Sequence, residues 1–110
     1  MTESTCNIEL IYSTLGSDPD LGEIVEIFVD EMADRIATLS RQLDASDWEA
    51  LQRTAHQLKG AAGSYGFDAI SQPAARLECA LRNSEPEEKL SQATAELIDF
   101  CRRIRAGAPQ

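Results

Sequence analysis

Apolar residues recur at intervals of three or four along most of the chain, which is the period of an amphipathic α-helix. Four such stretches predict helices at about 19–43, 47–65, 68–83 and 85–106. Short connections between them favour antiparallel neighbours, so the predicted fold is all-α, an antiparallel up-down-up-down four-helix bundle in one domain over residues 1–110. The rows predicted to be buried are, helix by helix, Leu21, Val25, Phe28, Met32, Ile36, Leu39 and Leu43; Trp48, Leu51, Ala55, Leu58 and Ala62; Phe67, Ile70, Ala74, Leu77 and Leu81; and Leu90, Ala93, Leu97, Cys101 and Ile104.

Signals for a helix start precede three of the four stretches. Each consists of a favoured N-cap residue followed by proline, or of a serine with a glutamate three residues later, the capping box. These signals are Asp18-Pro19, Ser46 with Glu49, and Ser84 with Glu87.

Two stretches depart from the regular pattern. Pro73 falls inside the third helix, where proline removes a hydrogen bond and clashes with the preceding turn. Either it lies in the first turn after a Ser71 cap, or residues 67–70 form a separate short turn first. Near the N-terminus, Ile8–Leu15 has the spacing of a short extra helix that Gly16 would end.

The second helix contains two glycines close to the only histidine of the chain. Gly60 and Gly63 should each cost about 1 kcal/mol relative to alanine in a helix interior. At about 100° per residue, both lie within about 40° of His56 around the helix, one and two turns further along. Because the buried row is centred more than about 100° away, His56 should point to solvent beside a bare strip that a protein partner can approach.

Lys59 follows the histidine by three residues, a spacing that puts the two side chains within reach on a helix surface. Its ammonium group would favour the neutral, nucleophilic imidazole of His56 over the charged form. It would also attract an anionic group attached to the ring. An exposed imidazole with an adjacent cation predicts a residue that accepts and releases a phosphoryl group.

The net charge of −9 argues against a nucleic-acid footprint and disfavours an anionic membrane surface. Against this background, no Asp or Glu occurs from Ala50 to Phe67, where an even distribution would place about three. That window contains Arg53 and Lys59, so His56 is expected in a locally basic patch. With no spanning segment and no signal pattern, the expected location is the cytoplasm.

Cysteine usage predicts neither a disulfide framework nor a metal site. The three cysteines are widely spaced, and Cys79 and Cys101 are expected to be small buried residues. No cluster of Cys, Asp or Glu accompanies His56 along the sequence, so no metal ligands are assigned.

His56-x-Leu58-Lys59-Gly60, followed by Gly66, resembles the H-x-L-K-G-x-x-x-x-x-G signature of histidine-containing phosphotransfer (HPt) domains of bacterial phosphorelays. Two flanking segments extend the likeness over roughly residues 8–105. They are Asp47-Trp48-Glu49-Ala50-Leu51 before the histidine and Gly66-Phe67 after it.

The resemblance implies a phosphoramidate on Nε2 of His56, with Lys59 pairing with the phosphoryl oxygens. It implies exchange with the receiver domain of a response regulator, or receipt from a hybrid histidine kinase. The receiver would supply the acidic pocket and Mg²⁺, so this chain would need no cofactor of its own and would be a phosphocarrier rather than an enzyme. A monomer is the expected oligomeric state. Implied roles elsewhere are partner docking for Gln52, Arg53, Gln57, Gly60 and Gly63, and structure for Leu58 and Gly66.

Two alternatives stay open at this point. One is a helical interaction module that has lost phosphotransfer, although such a module would have no reason to keep His56 and Lys59 together. The other is the phosphorylated module of a chemotaxis-type histidine kinase, which would share the chemistry. A kinase region would then follow, and because the sequence ends at Gln110, a stand-alone carrier is the expectation.

Overall fold

The computed structural model describes residues 10–15, 18 and 20–106. Four helices account for 77% of this part, which confirms the all-α class. A two-residue strand flanks them at each end. In chain order the elements are β1 (Ile11–Tyr12), α1 (Gly22–Asp44), α2 (Trp48–Ser64), α3 (Asp68–Arg82), α4 (Glu87–Arg103) and β2 (Ile104–Arg105).

The helices form a four-helix bundle around one apolar core. Each packs against two others in a closed ring, α1 against α2 and α4, and α3 against α2 and α4. The antiparallel sense of the neighbours stays a prediction. Most of the predicted inward rows are buried, the half-buried exceptions being Leu21, Ile36, Leu43, Trp48 and Ala93.

Helix α1 begins at Gly22, three residues later than the sequence predicts. The side chain of Asp18 accepts a hydrogen bond from the backbone amide of Asp20. The backbone carbonyl of Asp18 accepts hydrogen bonds from the amides of Leu21 and Gly22. Asp18 therefore closes a turn ahead of the helix, an arrangement that competes with N-capping for the same side chain. Pro19 lies outside the described residues.

Both predicted capping boxes are wrong, because Ser46 and Ser84 have left-handed backbones, with φ of 55° and 53°. Each is the residue after the C-cap of the preceding helix, and its amide donates to a carbonyl of the last turn, Leu43 or Leu81. With the next amide also bonded back into the helix, both sites are Schellman motifs. The α2 cap is instead Asp47, whose side chain accepts from the Ala50 amide.

Helix α3 continues through Pro73 without interruption. Pro73 therefore lies neither in the first turn after a Ser71 cap nor after a separate short turn at 67–70, and both predicted alternatives are wrong. Proline removes the hydrogen bond that the carbonyl of Ala69 would accept, and Ala69 is exposed. The ring of Pro73 is fully buried, so it adds apolar surface to the core, which favours folding and opposes the loss.

The segment before α1 contains a strand where the sequence predicts an extra helix. Ile11 and Tyr12 pair in parallel with Ile104 and Arg105, which ends α4 at Arg103 instead of at 106. The expected helix is therefore wrong within residues 10–15, while Ile8 and Gly16 lie outside the described residues.

The same segment contacts the turn that joins α2 to α3. Ser13 Oγ donates to the carbonyl of Tyr65, and the Thr14 amide donates to the carbonyl of Gly66. Gly66 has φ +81°, and a Cβ there would meet Ser13 Oγ and lie 2.8 Å from Thr14 Oγ1. A left-handed backbone and close packing both require glycine at this position.

Within residues 10–15, 18 and 20–106, none of the helices combines the length and the apolar character needed to cross a membrane.

Candidate functional site

His56 lies at the midpoint of α2, on the side of the helix away from the core. Its side chain is 65% exposed, whereas Ala55 and Leu58, which lie on the core side of the same turn, are buried. The exposure predicted from the helical period is therefore present. The ring can be reached from solvent without any movement of the bundle.

A carboxylate from α3 holds one nitrogen of this exposed ring. Nδ1 of His56 lies 2.8 Å from Oε2 of Glu78, and Lys59 Nζ donates to Oε1 of the same carboxylate at 2.8 Å. Arg82, one turn after Glu78 on α3, donates to Oε2 at 2.8 Å. These four residues, His56, Lys59, Glu78 and Arg82, are called the Glu78 cluster below.

Glu78 is the buried member of the cluster, with a side chain only 5% exposed. The hydrogen bond from Lys59 lowers the pKa of its carboxyl below the usual value of 4.5, and His56 adds to that lowering. Burial acts in the opposite direction, raising the pKa by disfavouring the charged form, but it is the smaller effect. Glu78 is therefore ionised at neutral pH.

The ionised carboxylate determines where the neutral imidazole carries its proton. A carboxylate without a proton can only accept hydrogen bonds, so Nδ1 of His56 must be the donor. In the neutral ring the other nitrogen, Nε2, then holds a lone pair. Nε2 makes no hydrogen bond to any residue of the described ranges, and this leaves the nucleophilic nitrogen directed away from Glu78.

The patch around His56 is less basic than the sequence window predicts. No acid is near in sequence, but the packing of α3 on α2 brings Glu78 against both His56 and Lys59. Arg82 arrives with it, so two cations face one carboxylate and the cluster keeps one net positive charge when the ring is neutral.

The two glycines lie on the exposed side of α2, beyond His56. A Cβ at Gly60 would have no atom within 4 Å, and one at Gly63 would meet only Ser71 Oγ, at 3.7 Å. The surface formed by Gly60 and Gly63 is called the glycine strip below. It is bare and open at Gly60 and bounded by α3 at Gly63.

The remaining residues of the sequence prediction fall into two groups. Arg53 and Gln57 are exposed and Gln52 is half-buried, so all three side chains reach the surface of α2. Leu58 is buried in the core, and Gly66 lies in the turn that ends the helix.

Sequence reasoning missed Glu78 and Arg82, although the pattern of α3 contained a signal. Glu78 comes four residues after Ala74 and three before Leu81, both of which are buried. A carboxylate at a core-facing position needs cationic or hydrogen-bonding partners. The histidine and lysine of α2 could have been considered as those partners.

The cysteines match the sequence prediction at one position of two. Cys101 is buried, and burial raises the pKa of its thiol to about 12. Cys79 is exposed, against the prediction, because the inward face of α3 is occupied by Leu77, Glu78 and Leu81. Within the part of the chain that the structure describes, no group of three or more His, Cys, Asp or Glu residues could hold a metal ion.

A comparison with protein-family models matches residues 23–107 to the Hpt domain, which is most of the chain and includes the whole Glu78 cluster. The chain belongs to the Hpt domain family. This confirms the resemblance noted in the sequence. Hpt domains are phosphocarrier modules that serve histidine phosphotransfer in phosphorelay signalling, where they interact with receiver domains and histidine kinases. Searches of curated proteins and of solved structures returned no match.

Proposed function

We propose that this Hpt domain is a phosphorelay carrier in which Nε2 of His56 accepts a phosphoryl group from a receiver-domain aspartate, or from a histidine kinase, and passes it to a response-regulator receiver. The observation that carries the proposal is the fixed orientation of an exposed ring. Nδ1 is bonded to the buried carboxylate of Glu78, and Nε2, on the other side of the ring, makes no hydrogen bond to any described residue.

The transfer needs no proton to leave the ring. The lone pair of Nε2 attacks phosphorus, the P–O bond to the receiver's aspartate breaks, and the aspartate leaves as a carboxylate with the bonding electrons. Because Nδ1 keeps its proton, the phosphorylated ring carries a positive charge. Glu78 is already ionised and in contact with that end of the ring, so it stabilises the charge as it develops.

The reverse step uses the same contacts. An aspartate oxygen of the next receiver attacks phosphorus, the N–P bond breaks, and the electron pair returns to Nε2 of His56. The ring is again neutral with its proton on Nδ1, hydrogen-bonded to Glu78. A site that stabilises the charged ring without trapping it suits a carrier, which must both accept and release the group.

Lys59 is positioned to serve the phosphoryl group. It lies one turn from His56, and its Nζ is held beside the ring by Glu78. A phosphoryl group on Nε2 brings about two negative charges, and these compete with the single charge of Glu78 for the ammonium. We assign Lys59 to the phosphoryl oxygens in the loaded state.

The glycine strip provides the clearance that a receiver needs. A phosphorylated aspartate lies within its own domain, so the two protein surfaces must come close before Nε2 can reach the phosphorus. Gly60 presents no side chain beyond His56, and Arg53 and Gln57 offer polar contacts around it. The receiver brings the acidic pocket and its Mg²⁺.

The direct test is transfer of radioactive phosphate from a phosphorylated receiver domain in the presence of Mg²⁺. The protein should acquire an acid-labile, base-stable label, as expected for a phosphoramidate, and His56→Gln should acquire none. A label that persists in a folded His56→Gln variant would eliminate the assignment. The interaction-module alternative predicts binding to the receiver without any label.

A further inference from the structure

Lys59 has two anionic partners in the functional cycle, and it cannot serve both fully. In the structure its Nζ donates to Oε1 of Glu78. The proposed function, on which this inference rests, moves the same ammonium toward the phosphoryl oxygens. The buried carboxylate of Glu78 then loses the hydrogen bond that does most to keep it ionised.

Loss of one partner from a buried charge is strongly unfavourable unless another group compensates. Without compensation, Glu78 would either hold Lys59 back from the phosphoryl group or take up a proton. A protonated Glu78 would no longer stabilise the charged ring of phosphorylated His56. The charged ring still donates to Oε2, but Oε1 is left without its donor, so Glu78 needs a further cation that does not take part in phosphoryl binding.

We propose that Arg82 is this further cation, a positioning residue that keeps Glu78 ionised and bonded to His56 while Lys59 moves to the phosphoryl group. Its guanidinium already donates to Oε2 of Glu78 at 2.8 Å, the oxygen that also accepts from His56. Arg82 approaches from α3, whereas His56 and Lys59 both approach from α2.

The chemistry of arginine suits this role. The guanidinium is always charged, and its N–H groups form a planar fork that can bond both oxygens of a carboxylate. When Lys59 leaves Oε1, Arg82 can bond Oε1 as well as Oε2 without leaving its place on α3. Its side chain is 62% exposed, which leaves the guanidinium free to make this small shift.

Arg82 and Glu78 are separated by four residues on one helix, so their pairing does not depend on the interface between α2 and α3. The pair can therefore stay formed when Lys59 changes partner. Arg82 acts through Glu78, its hydrogen-bond partner, and not through the reacting nitrogen, so its effect should be largest when Lys59 does not hold Glu78.

The test is a four-variant cycle with phosphoramidate, a small donor that phosphorylates imidazole. Because Arg82 is exposed, a rate measured with a receiver would also include any direct contact between the two, and a small donor removes that complication. The rate of His56 phosphorylation is followed by ³¹P NMR in the unmodified chain, Arg82→Gln, Lys59→Ala and the double variant. Circular dichroism verifies that each variant is folded.

Arg82→Gln should slow phosphorylation about threefold to fivefold when Lys59 is present. In the Lys59→Ala background the same change should slow phosphorylation more, because Arg82 is then the one remaining Lys or Arg of the cluster that keeps Glu78 ionised. An unchanged rate in Arg82→Gln, or a smaller loss in the Lys59→Ala background than in the presence of Lys59, would overturn the proposal.

Two further variants separate this role from a general effect of charge on α3. Arg82→Lys keeps a cation at the site and should restore part or all of the rate, and a rate as low as that of Arg82→Gln would contradict the proposal.

Arg76→Gln removes another arginine of α3 that is paired with a glutamate, Glu96, and should leave the rate unchanged. A loss equal to that of Arg82→Gln would overturn the assignment to Arg82.

The failure of this inference differs visibly from the failure of the proposed function. An unmodified chain that takes up no phosphoryl group on His56 overturns both. An unmodified chain that is phosphorylated, with equal rates across the Arg82 series, overturns the role of Arg82 alone.

Discussion

Nδ1 of His56 lies 2.8 Å from Oε2 of Glu78, although the two residues are 22 positions apart in the sequence. The contact joins an exposed ring on α2 to a buried carboxylate on α3. It distinguishes the two ring nitrogens, because Nδ1 is held by Glu78 and Nε2 makes no hydrogen bond to any described residue. Four predictions follow from the contacts of this cluster and its surroundings.

Glu78→Gln should loosen the choice of tautomer. The glutamine amide can donate as well as accept, so Nδ1 of His56 is no longer required to carry the proton. We expect ¹⁵N NMR of the ring to show a larger share of the form protonated on Nε2, and phosphotransfer to slow about tenfold. Glu96→Gln, which removes an exposed carboxylate paired with Arg76, is the matched control and should change neither. An unaltered tautomer ratio in Glu78→Gln would refute the orienting role.

Acid should remove the contribution of Glu78 to stability. Its folded-state pKa is lowered below 4.5, so the unfolded chain binds the proton more tightly than the folded one. The contribution is present above about pH 4.5 and is lost as the pH falls through the lowered pKa. Urea denaturation between about pH 6 and pH 3 should therefore show a stability gap between the unmodified protein and Glu78→Gln that shrinks with acid. A gap that stays constant over this range would contradict the ionised state of Glu78.

Gly60→Glu should leave the bundle folded and slow transfer from a receiver by about tenfold or more. The new side chain meets no atom of the protein within 4 Å of its Cβ, but it adds bulk and negative charge where the receiver approaches His56. Gly60→Gln adds a side chain of similar size without the charge, so comparing the two variants separates the effect of bulk from that of charge. Ala95→Glu places the same side chain at an exposed position of α4 and should leave the rate unaffected. Equal transfer rates in Gly60→Glu and the unmodified chain would remove the docking role of the strip.

Gly66→Ala should destabilise the protein by about 1–3 kcal/mol, as judged by denaturant unfolding. The backbone there has φ +81°, and a Cβ would meet Ser13 Oγ and crowd Thr14. Gly60→Ala is the matched control, since its Cβ would occupy open space within a regular helix. It should stabilise the protein by about 1 kcal/mol, the difference in helix propensity. A Gly66→Ala variant that is as stable as the unmodified protein, or more stable, would contradict both the strained backbone at Gly66 and the packing of residues 13–14 on the α2–α3 turn.

The sequence predicts the helix interiors well because burial follows a short period. Val25, Leu51, Leu77 and Leu97, one from each predicted row, are all fully buried, and each can be identified from spacing alone. His56 could be placed on the exposed side by the same reasoning. These predictions use only residues that are neighbours on one helix.

The helix boundaries were harder to predict, because one residue can serve either of two helices. Serine is a favoured N-cap residue, so Ser46 is a reasonable candidate for the N-cap of α2. It adopts instead the left-handed conformation that closes α1, and Asp47 is the N-cap of α2. The choice depends on how the chain reverses between two packed helices. Local sequence does not specify that reversal.

Contacts between elements distant in sequence account for the rest of what was missed. Ile11 forms a strand only because Ile104 lies beside it, and Glu78 becomes part of the site only because α3 packs on α2. An acid-free window along the chain is therefore an unreliable guide to the charge around a side chain in space.

The most direct test of the central claim is to identify the nitrogen that carries the phosphoryl group. The ring of His56 is labelled with ¹⁵N, the protein is phosphorylated by a receiver domain, and the coupling between ³¹P and the ring nitrogens is measured. We predict coupling to Nε2, with Nδ1 still protonated toward Glu78. A phosphoryl group on Nδ1, or on any residue other than His56, would contradict this account.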